Sequence, residues 1–497
     1  MEALDEAVGL GPADPGGAVL DVLELEEELV GMLVVGVPTE LPAIIRSEGA
    51  GQPSGSGPFW GYPNLSEGVP TMTDQPVVPR TWVAIDIAKR THVVLVETEE
   101  GKRHRFRVQR QRDSIDGFVA FLHGQKAPVR IAFEPTSNYH RTLAHRLYTE
   151  GFEVQMVSSV ASARFRDIVF NSWDKNDPKD AGVILSLLKQ GITQRYHDPL
   201  EEGIHYVQEI SKTYHQIVLS RTRLQHSLMT HFLPLYFPEM DRYWHSTRGE
   251  WFIRFLLRFP VPASICALSQ AAFIKAAWRL VGRKVNKRAV LEELYHLAHR
   301  STALPIDEEA LAVEMFRVQL RRYLDLCAER SRLEAIAEDV LGLDPDYINL
   351  RSIPGIGPIL ALTVLAESGD LRRFRHHRQF LKFCGLDLAK CQSGAARGLE
   401  QLSKRGNARL RCAFWFAGRT AVRMRENSFR SKYERYIRLD PSNPDRKRKA
   451  LTAVAAKVAR VAHAVVKSGQ PYRPYFEHDI PGGVIPFRRA VEASGTS

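Results

Sequence analysis

Cysteine is scarce and unpatterned in this chain. Cys266, Cys327, Cys384, Cys391 and Cys412 are odd in number, include no C-x-x-C pair and have no His-rich tract beside them. That usage argues against a zinc site or a disulfide framework. Long apolar runs are missing too. The longest near the start, 30–38, is far short of the roughly 20 residues a membrane span needs, and the acidic stretch before it is the opposite of a signal peptide's basic start. Lysine is absent from residues 1–79, where Arg46 stands alone against thirteen Asp and Glu, a net of −12. These absences point to a soluble protein of a reducing, intracellular compartment with no membrane partner.

The rest of the chain has the opposite charge. From Arg80 onward 67 Lys and Arg face 44 Asp and Glu, a net of +23. Such an excess suits a polyanion, because each cation set on a phosphate releases condensed counterions. Hydrophobic content of 44% over 497 residues is enough for about three domains. The acidic, then Gly-, Ser- and Pro-rich extension 1–79 buries too little surface to fold by itself and is expected to be disordered. Met72, close to the first strand, is a candidate start.

Strand signals open at Thr81 with three runs, 82–87, 92–97 and 103–108, the last two joined by the turn Glu99-Glu100-Gly101-Lys102. Helix and strand then alternate to about residue 200, the order of a ribonuclease H-like mixed sheet. Residues 201–345 read as helix. Val313, Phe316, Leu320, Tyr323 and Cys327 recur at steps of three and four, the seam of a helical bundle or of a dimerising arm, with a helical insertion at 260–302. A helical unit follows over 346–475, and then an irregular tail, 476–497.

Two sets of residues carry chemistry. Asp86 stands mid-strand in Val83-Ala84-Ile85-Asp86-Ile87, Glu134 closes Ile131-Ala132-Phe133, and Asp177 and Asp180 stand three apart where a helix opens. A carboxylate inside an apolar strand is costly unless paired or bound to metal. Each acid also has a plain structural reading: Glu134 as a strand-end surface group, Asp177 as a helix cap before Pro178, and Asp180 as a partner of the helix dipole. Together they suit one or two Mg²⁺ ions at a phosphodiester. The second set is Ser393 in Gln392-Ser393-Gly394, among small residues that let a DNA backbone approach. Arg397 follows it, and Ser403, Lys404 and Arg405 lie beyond. A serine needs activation to act as a nucleophile, and no His is near in sequence; Ser403 is the competing candidate. Gly355 and Gly357 in Ile353-Pro354-Gly355-Ile356-Gly357 resemble a helix-hairpin-helix turn whose amides can hold phosphate, with Arg372 and Arg373 just beyond.

These motifs, in this order, resemble the insertion-sequence-110 (Piv-like) transposases over residues 81–472. The matching segments are Ala84-Ile85-Asp86-Ile87-Ala88-Lys89, Phe133-Glu134-Pro135-Thr136, Asn176-Asp177-Pro178-Lys179-Asp180, Ser352 to Gly357, and Ser393-Gly394 followed by Leu402 to Asn407. The resemblance implies an α/β plus α protein: a RuvC-like domain over 80–200 whose Asp86, Glu134, Asp177 and Asp180 bind Mg²⁺, a helical coiled-coil arm over 201–345, and a transposase domain over 346–475 that supplies the catalytic Ser393. It implies donor and target double-stranded DNA, a structured guide ("bridge") RNA, a homodimer or homotetramer with composite sites, and a bacterial cytoplasmic, nucleoid-associated protein. The 1–79 extension, the 260–302 insertion and Asp387 where the family often has proline depart from the pattern. Two rivals stand beside this reading: a structure-selective endonuclease that uses the carboxylates alone, and a nucleic-acid-binding protein without catalysis.

Overall fold

The structure, a computed structural model, describes residues 80–170, 177–244, 250–282, 286–389, 392–393, 396–397, 401–425 and 427–474. The side chains of 169–170, 177–178, 392–393 and 396–397 lie outside that description. So do the acidic extension and the tail named from composition. The chain divides into two compact units that meet in sequence at His205 and Tyr206.

The first unit is a six-stranded sheet with helices on both faces. Strands β1 (Thr81–Asp86), β2 (Thr91–Glu97) and β3 (Arg103–Gln109) form an antiparallel meander. Helix α1 (Arg112–His123) leads to β4 (Val129–Glu134), which pairs with β1 in parallel. Helix α2 (Arg141–Thr149) and β5 (Glu153–Met156) follow, then α3 (Ser159–Phe170), α4 (Asp177–Lys189) and a short antiparallel β6 (Gln194–Arg195). The order across the sheet is β3-β2-β1-β4-β5-β6.

Period-two alternation divides the strand side chains between two cores. Val83, Ile85, Ile131 and Phe133 pack with α1 and α2 residues such as Phe118, Leu122, Leu143 and Leu147. Ala84 and Ala132 face the other way, onto Ala181, Val183, Ile184 and Leu187 of α4. Alanine at the two central positions lets α4 lie close to the sheet, and each large apolar side chain of α4 so buried contributes about 1.5–3 kcal/mol.

The second unit is helical. Helix α5 (His205–Ser227) runs through a π-turn at Leu228–Phe232 into α6 (Leu233–Tyr236). Short helices follow: α7 (Glu250–Arg258), α8 (Pro262–Cys266), α9 (Gln270–Ala277) and α10 (Lys287–Ala298). Then comes the 31-residue α11 (Leu311–Leu341). The seam residues Val313, Phe316, Leu320 and Tyr323 are buried against Phe252, Phe255, Phe273 and Leu291 of these helices. Along this half of α11 the stripe read in the sequence is therefore filled by its own chain, and the insertion at 260–302 supplies part of the filling. The far end of α11, Ala337 and Leu341, belongs to a second core with α12 (Pro345–Arg351), α13 (Pro358–Ser368), α14 (His377–Cys384), α15 (Ala408–Arg423), α16 (Ser428–Ile437) and α17 (Pro444–Ser468).

Gly355 sits between α12 and α13 at φ +90°, where a Cβ would collide with the backbone oxygen of Ala417 and lie 2.9 Å from the amide nitrogen of Ala421. The turn thus packs directly on the backbone of α15, with Ile353 and Ile356 buried beneath it. Gly355→Ala combines a left-handed φ with overpacking and is expected to cost about 3 kcal/mol or more. A calorimetric melt of the purified variant, showing a loss of several degrees against an unchanged Gly357→Ala control, checks it; a Cβ at Gly357 meets open space.

Candidate active site

Asp86 and Glu134 are direct register partners at the ends of two adjacent parallel strands. Both follow the alternation of Ala84 and Ala132, so both carboxylates lie on the α4 face of the sheet, half-buried at its rim. α4 begins here, and Asp180 in its first turn is 6% exposed. The Nη2 of Arg166, on α3, stands 2.6 Å from Asp180 Oδ1. This contact supplies charge without a well-aligned hydrogen bond, because neither Asp180 Oδ1 nor Arg166 Nε has a hydrogen-bond partner among the described residues. A buried carboxylate held by one guanidinium and still short of donors suits a hard cation. An all-oxygen set of Asp86, Glu134 and Asp180 fits a divalent ion of that kind. Among the described residues no three such groups converge closely enough to hold a metal. Asp177 is the first residue of α4; its side chain lies outside the description.

His92 braces the loop that follows Asp86. It is fully buried and its Nδ1 accepts the amide N–H of Ala88 at 3.2 Å. Burial, with the charge of Arg110 behind it, pushes its pKa down to about 4. The unfolded chain takes up a proton as pH falls through about 6.5, while the folded chain resists until about 4. Stability is therefore present above that window and lost across it. Melting temperature measured from pH 7 down to 4.5 is expected to fall, and less steeply in His92→Gln. Identical slopes would remove His92 from the account.

In the second unit Ser393 lies on a small hairpin between α14 and α15. Leu388–Ala389 pairs antiparallel with Gln401–Leu402, and beyond it Gln392–Ser393 pairs with Ala396–Arg397, Ser393 opposite Ala396. Ser393 is thus the second residue of a short strand. At the base of the hairpin Ser403 donates its amide to Asp387 O at 2.8 Å. Lys404 and Arg405 are exposed on the following turn, Lys404 with φ +52°. Asn407 fastens this turn: it caps α15 and donates to Glu367 Oε2 at 2.7 Å, while Arg409 reaches Glu367 Oε1 at 2.5 Å and the Ser211 carbonyl at 3.1 Å. Glu367 was not singled out in the sequence, and nothing in its local pattern marks it.

The remaining sequence candidates are placed as follows. Arg372 makes two 2.7 Å bonds to Asp346 and one of 3.1 Å to Asp370, which hold its pKa above the usual arginine range. Arg373 lies over Phe374 and Phe383, 4.6 and 5.1 Å from their ring centres. Both thus have structural work inside the domain. Gly357 caps α13 ahead of Pro358. Arg397 is on the strand paired with Ser393, its side chain outside the description.

A mixed α/β sheet domain followed by a helical domain is compatible with a DEDD-type transposase. Residues 83–238 match a DEDD transposase family model, and residues 348–434 match the transposase IS116/IS110/IS902 family. The putative transposase of the IS117 mini-circle of Streptomyces coelicolor is 28% identical over 321 residues, 61% of this chain and 74% of that protein. A probable family 20 transposase of Pseudomonas aeruginosa is 33% identical over 150 residues, 30% and 43% of the two chains. The IS1111A transposase of Coxiella burnetii is 36% identical over 95 residues, 19% and 25%. The chain belongs to the IS110/IS116/IS902 family of transposases. DNA is its substrate, and its DEDD domain belongs to divalent-metal chemistry. Among the described residues no helix is long and apolar enough to cross a membrane.

Proposed function

We propose that the protein excises and inserts an insertion sequence by Mg²⁺-dependent strand exchange through a phosphoserine link. The observation that supports this most is the register pair Asp86–Glu134 on the face that α4 covers, with Asp180 buried in the first turn of that helix. Mg²⁺ held by Asp86, Glu134, Asp177 and Asp180 would supply electrostatic stabilisation of charge on the scissile phosphate. The Ser393 hydroxyl forms the new Oγ–P bond, the ester bond to the leaving sugar oxygen breaks, and that oxygen takes a proton. Attack by the partner strand's hydroxyl then releases the serine. Phosphoester energy is retained throughout, so no nucleotide is consumed. Gly355, Gly357, Arg372, Arg373, Arg397, Ser403, Lys404 and Arg405 are the proposed nucleic-acid contacts. Lys404 and Arg405 have the best case, being exposed on the braced turn at the base of the serine hairpin. A guide RNA and a homodimeric or homotetrameric assembly complete the proposal, the former suited to a protein with diffuse basic charge.

The test is excision in cells, scored by amplification across the rejoined flanks, for the wild type, Ser393→Ala and Asp86→Asn. A junction only in the wild type supports the proposal. A junction in either variant overturns the role of that residue, and cutting without rejoining in Ser393→Ala would favour a carboxylate-only nuclease.

A further inference from the structure

The cross-strand row that carries the carboxylates does not stop at them. Glu134 on β4 pairs with Asp86 on β1, Asp86 with Val93 on β2, and Val93 with Arg107 on β3. Because register partners lie on one face of a sheet, Arg107 is on the carboxylate face, two strands or about 10 Å from Asp86. The next row inward is Ala132, Ala84, Leu95 and Arg105. The third ends in Arg103, but there Glu97 neutralises it at 2.9 Å and takes Lys189 at 2.5 Å as well. Arg105 and Arg107 are exposed and make no side-chain hydrogen bond or ion pair among the described residues. Together with Val93, Leu95 and Ala181 they line a groove of about 310 Å³ beyond the edge of α4. Ala181 is the residue after Asp180, so the groove reaches the first turn of the helix that carries that acid.

We propose that Arg105 and Arg107 form a phosphate-gripping ledge on β3 that positions the DNA strand across the carboxylate site, each holding a backbone phosphate beside the scissile one. Edge strands do carry charge to block sheet-to-sheet pairing. That role would be met by cations in any register, whereas these two flank an apolar groove in line with the acids. A polyanionic strand lying along the groove meets cations on the β3 side and approaches the acids only at its scissile phosphate, the point where a bound cation would screen them. The arginines are positioning residues, and their placement rests on the carboxylate reading above.

The test is equilibrium binding of a fluorescein-labelled DNA duplex to the full-length protein in EDTA, followed by anisotropy from about 50 to 200 mM salt. Each lost phosphate contact lowers the slope of log K against log salt by about 0.9. Arg105→Gln/Arg107→Gln is therefore expected to be shallower than wild type by about 1.8, with an unchanged melting temperature, and Arg105→Lys/Arg107→Lys is expected to restore the slope. A wild-type slope in the Gln variant overturns the ledge. So does a slope change confined to the same probe made as RNA. Excision by Asp86→Asn is scored separately: survival there sinks the carboxylate reading and leaves the slope result standing, whereas an unchanged slope sinks the ledge alone.

Discussion

Replacing Ser393 by alanine is expected to abolish the covalent protein–DNA adduct and to reduce strand exchange on the order of 10⁶-fold, the scale of losing a nucleophile from a cooperating set. The loss should be confined to chemistry. Ser393 lies on a short strand pair, and the neighbouring pair Leu388–Ala389 with Gln401–Leu402 is flanked by the Asp387–Ser403 bond and the Asn407–Glu367–Arg409 network, none of which uses the Ser393 hydroxyl. Denaturing gels of protein incubated with end-labelled DNA would show the adduct as a slow band in the wild type alone. Adduct formed by Ser393→Ala would move the nucleophile elsewhere, and Ser403→Ala is the variant to compare next.

Asp86→Asn is expected to lower excision by about 10³-fold or more, equivalent to about 4 kcal/mol of lost transition-state stabilisation. The substitution keeps the shape of a strand-end side chain and removes one negative charge from a set that has little to spare, since Asp180 is already held by Arg166. Divalent-cation affinity, followed by Mn²⁺ paramagnetic resonance, should fall with the activity. Activity lost with cation affinity unchanged would separate Asp86 from the metal and assign it to contact with substrate.

What the sequence reveals and what it hides differ for physical reasons. An acid in an apolar strand is visible at once, because burying it unpaired is costly; Asp86, read as mid-strand, and Glu134, at a strand end, stand out for that reason, and only the structure ends the first strand at Asp86. Asp180 is visible as an acid in the first turn of a helix after a proline. Their common face is not visible, because it depends on which residue of β4 pairs with which of β1, and a slip of one position would turn Glu134 to the opposite side. Arg166 shows the same limit. Nothing near it in sequence names Asp180 as its partner, and only the packing of α3 on α4 brings the two together. The seam of α11 was read with its spacing right. What fills it, Phe252, Phe255, Phe273 and Leu291 from three separate upstream helices, is a matter of long-range packing. Arg372 read as a phosphate contact because it heads a basic run, and only the fold brings Asp346 to it.

Residue chemistry and local period by themselves determined the mixed α/β domain, the helical remainder and the basic character that suits nucleic acid, while the transposase reading came from the family that the ordered motifs resemble. The first three follow from interactions between near neighbours along the chain. Tertiary structure alone decided that Glu134, Asp86, Val93 and Arg107 form one row, that Asp180 is buried against Arg166, and that Gly355 must be glycine because α15 passes against it. Each of these depends on strand register or helix packing, which join residues distant in sequence.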